Sequence, residues 1–129
     1  MTKVKGLFEV KMTPRDLGEG SAVGLMNLDK KYSGPLDAKG SGEMLAMQSG
    51  VEGSAGYVAM ERVTGELDGK PGSFALMHFG IMDRGTPTLT IKIVPDSGTG
   101  GLTGISGTMS IIIENGQHFY DLEYVMNGS

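Results

Sequence analysis

Glu61 and His78 are the residues best placed to move protons. Each lies inside an alternating apolar run, and Asp68-Gly69, a strong hairpin signal, joins the two runs, with Lys70-Pro71-Gly72 just beyond. The loop has either two residues, Asp68-Gly69, or six, Leu67 to Gly72. Both lengths are even, so in either register Tyr57, Ala59, Glu61 and Val63 share a face with Phe74, Leu76, His78 and Gly80. The longer loop puts Glu61 directly opposite His78, and the shorter one puts them on a diagonal. On an interior face, burial and mutual contact would shift both groups from their ordinary proton affinities and equip them as general acid and base. The same pair is also compatible with a satisfied structural ion pair. Tyr57 is the natural third member, as a hydrogen-bond donor to a developing oxyanion. Phe74, Leu76 and Met82 are expected to give ligand-contacting surface. Glu43, between two apolar pairs in the third run, is a further candidate.

Other motifs lead away from chemistry. Asp96-Ser97-Gly98 matches the aspartic protease triplet, but it occurs once and follows Pro95. A protease would need a second aspartate motif, supplied in short chains by a homodimer. The glycines of Gly98 to Gly107 suggest a phosphate cradle, yet a dinucleotide fingerprint requires a helix after them. Here an alternating run, Thr108 to Glu114, follows, and no Walker lysine is present. These glycines read better as positive-φ or bulge positions at a tight crossing between strands. The two histidines, His78 and His118, do not by themselves make a metal site, and with no cysteine there is no thiolate chemistry. Neither cofactor nor metal is expected.

The elements that must position these residues are strands. Alternation with period two runs over Lys5–Thr13, Ser21–Tyr32, Asp37–Ser49, Gly56–Leu67, Ser73–Met82, Thr88–Val94, Thr108–Glu114 and Gln117–Val125. Asn115-Gly116 is the best two-residue turn. The prolines are expected at segment edges, with Pro14 ending the first strand. Asp16 to Gly24 has room for a helical turn and little more. Glycine, at 22 of 129 residues, suits strands that bend or approach closely. One domain of eight strands joined mostly by short turns fits a meander closed into a barrel, which removes exposed edges, although a β-sandwich also accommodates short runs. On the central hairpin the second face carries Val58, Met60, Arg62 and Thr64 against Ala75, Met77, Phe79 and Ile81, so both faces are substantially apolar. One must line the barrel, and an oligomer interface is the simplest cover for the other.

Charge and leader signals bound the setting. The net charge of −4 with interspersed signs argues against broad nucleic-acid contact. The start, Met-Thr-Lys-Val-Lys-Gly, has no apolar core of a signal peptide, and no run is long enough for a membrane-spanning helix. A cytoplasmic protein without membrane or nucleic-acid partners is expected.

Residues 42–46 (Gly-Glu-Met-Leu-Ala), 51–65 (Val-Glu-Gly-Ser-Ala-Gly-Tyr-Val-Ala-Met-Glu-Arg-Val-Thr-Gly), 72–78 and 94–107 together resemble the bacterial domain-of-unknown-function family 3224, over Phe8 to Tyr124. The resemblance implies an all-β fold, a single eight-stranded antiparallel β-barrel of allene oxide cyclase-like type. That group is similar to plant dirigent proteins, which share a Gly-Thr-Gly segment like Gly98-Thr99-Gly100 near the penultimate strand. It implies a cavity for apolar small molecules, inside which some members steer cyclisation or coupling, and a tendency to form oligomers. No motif around the cyclases' catalytic residues matches here. Two functions follow as expectations. One is a barrel that binds an apolar small molecule and acts as an isomerase or cyclase. The other is a non-catalytic structural or interaction protein whose barrel is filled by side chains, with ten methionines as gap fillers.

Overall fold

The alternating runs form strands that close on themselves. The protein is described by a computed structural model over residues 1–15 and 23–127. In it lie β1 (Thr2–Arg15), β2 (Gly24–Tyr32), β3 (Leu36–Gln48), β4 (Ala55–Leu67), β5 (Lys70–Asp83), β6 (Thr86–Ile93), β7 (Thr99–Gly100), β8 (Ile105–Glu114) and β9 (Gln117–Met126). The antiparallel order β4-β3-β2-β1-β9-β8-β6-β5 returns to β4, giving an eight-stranded closed barrel, and the two-residue β7 adds to β5 beyond the end of β6. The expected helical turn at Asp16 to Gly24, and the expected strand start at Ser21, fall largely outside the described residues.

Several strand limits differ from the sequence reading. Pro14, Pro71 and Pro87 lie inside strands, each one position from a strand end, where the missing N–H does not interrupt a central ladder. The β4–β5 loop is the two-residue one, so Leu67 pairs with Lys70 and the strand continues through Pro71. β8 starts at Ile105, three residues before the expected Thr108, because the end of the glycine segment already pairs with β9.

The barrel has two unlike ends. At the end holding the β2–β3 and β4–β5 turns, Tyr32, Leu36, Leu67, Phe74, Leu102, Ile105, Tyr120 and Leu122 are buried in one cluster. Tyr32 and Tyr120 meet edge to face at 5.6 Å. The Tyr120 hydroxyl accepts from the Leu36 amide at 3.0 Å and donates to the Ser33 carbonyl at 2.8 Å, fastening β9 to the β2–β3 turn. The glycine segment completes this plug. It crosses from β6 to β8, pairs with β5 at Gly72 and Ser73, and drives Leu102 into the core. Gly104 is required there, since its φ is +86° and a Cβ would meet the Asn127 carbonyl oxygen at 1.8 Å.

The opposite end, where β3 meets β4 and β5 meets β6, has no such layer. Inward side chains near it, including Met12, Met82, Leu89 and Ile113, are exposed. On the outer wall Leu45, Val58, Met60, Met77, Phe79 and Ile81 are each about half exposed and adjacent in register.

Candidate functional site

Midway along the barrel, a charged cluster sits where the plug ends. Glu61 on β4 faces inward between Gly42 of β3 and Leu76 of β5. It is diagonal to His78, as the two-residue loop requires. Its Oε1 accepts from Lys30 Nζ at 3.0 Å and from His78 Nε2 at 2.9 Å, and its Oε2 accepts from the Tyr32 hydroxyl at 2.5 Å. All four side chains are buried, Glu61 completely. Space for the carboxylate comes from Gly40, opposite Lys30, where a Cβ would lie 2.1 Å from Glu61 Oε2. The Lys30 ammonium also stands 5.3 Å from the Phe8 ring centre and 5.9 Å from that of Tyr32, over their faces.

The electrostatics follow from these contacts. Burial alone would raise the Glu61 pKa. The His78 hydrogen bond, the Lys30 charge and the Tyr32 hydrogen bond together outweigh burial and hold it below the usual glutamate value. The Tyr32 phenol is pushed far up by burial and by the adjacent carboxylate. Glu61 is therefore ionised and accepts every bond it makes. It follows that Nε2 of His78 carries a hydrogen.

Above the cluster, towards the unplugged end, the interior opens into a well of about 480 Å³. Lys30 and His78 lie at its floor. Val10, Met12, Leu28, Met44, Ala46, Ile111 and Met82 form its wall, with His118 beside Phe8. A volume in the range of roughly 300–1,000 Å³, apolar walls and a few convergent polar groups are the usual properties of a small-molecule site.

The residues singled out in the sequence divide four ways. Glu61 and His78 are brought together. Tyr57 shares their face and lines the well, half buried across the backbone of Gly80. No hydrogen bond joins it to the pair, and burial raises its phenol pKa. Met82 stands at the mouth. Phe74 and Leu76, placed by the sequence among ligand contacts, belong instead to the buried core. Their side chains are fully buried and do not line the well. Glu43 is on the outer wall, exposed and 3.6 Å from Arg15, because its odd position in β3 alternates with the inward Gly42 and Met44. The sequence reading missed Lys30 and Tyr32. Their signal was present, since Leu28, Lys30 and Tyr32 share one parity in β2, but the adjacent Lys31 made Lys30 look like one of a solvated pair. Among the described residues no group of three or more potential metal ligands converges.

A closed antiparallel barrel with a plugged end, a buried Lys–Glu–His–Tyr cluster and an apolar well defines the structural class. The chain belongs to the family described as "Protein of unknown function (DUF3224)", whose pattern matches residues 4–124. A crystal structure of a protein of unknown function from that family, from Shewanella oneidensis MR-1, is similar at 51% identity with a TM-score of 0.93, covering 100% of this chain and 99% of that one. Among curated proteins none matches the sequence.

Proposed function

We propose that this barrel takes an apolar small molecule into its well and acts on it as an isomerase or cyclase, with His78 moving the proton and Glu61 holding its imidazole. The observation that carries the reading is the position of the cluster at the floor of an apolar well. Proton transfer inside it would be shielded from water, and the walls would fix the fold of a flexible substrate. A proton taken from one atom of the ligand and returned to another balances without a cofactor.

A second copy of the chain is the proposed cover for the outer strip of Leu45, Val58, Met60, Met77, Phe79 and Ile81. The strip is uncharged and rich in methionine, which re-packs readily against its like. Native mass spectrometry of protein isolated from its own source tests both parts. A multiple of the chain mass with a retained organic ligand is the expected result. A bare monomer would remove support from both.

One observation favours the non-catalytic alternative. Glu61 accepts from three donors, as a purely structural ion cluster would. The two readings separate on His78→Gln, which should abolish turnover of a bound ligand only in the catalytic case.

A further inference from the structure

Resting on the reading of the well as a ligand cavity, the hydrogen bonds at its floor select a substrate class. Lys30 has three N–H groups, and among the described residues its hydrogen bonding is confined to Glu61. Its ammonium therefore has N–H groups left for a ligand, and the side chain lines the well. His78 uses Nε2 on Glu61. Its Nδ1 has no partner among the described residues, yet no buried side-chain nitrogen or oxygen lacks one, so Nδ1 is not sealed off, and the residue lines the well. In the tautomer that carries hydrogen on Nε2 alone, the imidazole presents a lone pair at Nδ1. The floor thus brings a cationic donor and an imidazole to one carboxylate oxygen.

We propose that the well binds apolar ketones or aldehydes and that its floor enolises them. The carbonyl oxygen accepts a hydrogen bond from Lys30 Nζ. Nδ1 of His78 removes a proton from the adjacent carbon, and that C–H electron pair forms the carbon–carbon double bond of the enolate. Charge moves to the oxygen facing Lys30, where the ammonium stabilises it. Glu61 is a positioning residue. It holds the imidazole with hydrogen on Nε2 and stabilises the imidazolium that forms. Return of the proton to the same carbon regenerates the ketone, and return to a conjugated carbon shifts a double bond. No oxidant, reductant or cofactor is needed.

The test is exchange of the protons beside the carbonyl of 2-octanone in deuterated buffer, followed by proton NMR with the full chain. Binding is followed separately by saturation-transfer difference. Exchange at least about 100-fold above protein-free buffer is expected, the usual contribution of a positioned base. His78→Gln, which keeps a donor for Glu61, should bind the ketone and return exchange to background. Glu61→Gln, read on the fraction that stays folded, should lower the exchange rate. Binding without exchange in the wild-type protein would overturn the enolisation proposal and leave the cavity reading standing. No binding at all would overturn both. Exchange that survives His78→Gln unchanged would overturn the assignment of the base, and that result needs no comparison beyond a folded variant, checked by circular dichroism.

Discussion

Replacing Glu61 with glutamine should be among the most destabilising single changes in this protein. The substitution keeps the shape and one oxygen, removes the charge and turns the other acceptor oxygen into an NH2 donor. It leaves the Lys30 ammonium, with its side chain 6% exposed, facing a neutral amide where a fully buried carboxylate stood 3.0 Å away. The rings of Phe8 and Tyr32 offset part of the loss. Removing one partner of a buried ion pair costs about 3–5 kcal/mol, because the other charge is left without compensation. Against a total stability of roughly 5–15 kcal/mol for a domain, that is a large fraction. Removing both charges, in Lys30→Met with Glu61→Gln, should recover most of it, since a neutral pair carries no desolvation penalty of this kind. The chain contains no tryptophan, so far-UV circular dichroism in urea is the suitable assay, read from the midpoint at constant slope. A Glu61→Gln loss below about 1 kcal/mol, or a double variant no more stable than the single one, would refute the reasoning.

Four further expectations can be measured directly. Because the Glu61 pKa is lowered in the folded state, the unfolded chain takes up the proton first, so its contribution is full above the ordinary value of about 4.3 and is lost as pH falls below it; acid melting curves should be steeper for the wild type than for Glu61→Gln. All four tyrosines have phenols held above the ordinary value of about 10, chiefly by burial, with Tyr124, which also bonds Asp68, pushed up to about 12. Their stabilisation is complete below that ordinary value and is lost as pH rises past it, so ultraviolet titration should show delayed ionisation followed by alkaline unfolding. Tyr120→Phe strips the partners from the Leu36 amide and the Ser33 carbonyl and should cost about 1–3 kcal/mol in urea; no change would deny Tyr120 its fastening role. If the outer strip is the proposed interface between copies, Phe79→Lys should give the monomer mass by sedimentation with an unchanged dichroism spectrum where the wild type gives a multiple of it; a wild-type monomer, or no change in the variant, would refute that interface.

The fold was legible because alternation and turn chemistry agree along the chain. Asp68-Gly69 and Asn115-Gly116 mark two of the three two-residue hairpins, and parity alone put Glu61 and His78 on one face. Parity could not say how far along the barrel each inward residue lies. Phe74 and Leu76 share the face of His78, yet one end of the barrel is plugged and the other open, so they became core and not cavity wall. The plug depends on Leu102 and the Tyr120 hydroxyl, contacts between residues far apart in sequence. Glu43 was misplaced because the turn between β3 and β4 left their relative register open. Lys30 was passed over because a lysine beside a lysine in a polar run has the composition of a surface, and only closure of β2 against β3 and β1 turns it inward.

The central claim is that the well accepts an apolar ligand, and its most direct test is titration with the neutral dye N-phenyl-1-naphthylamine. Saturable fluorescence enhancement is expected for the wild-type chain. It should disappear in Ala59→Phe, which fills the well from β4 just above the Glu61 cluster. No enhancement in the wild type, or the same enhancement in a folded Ala59→Phe variant, would contradict the claim.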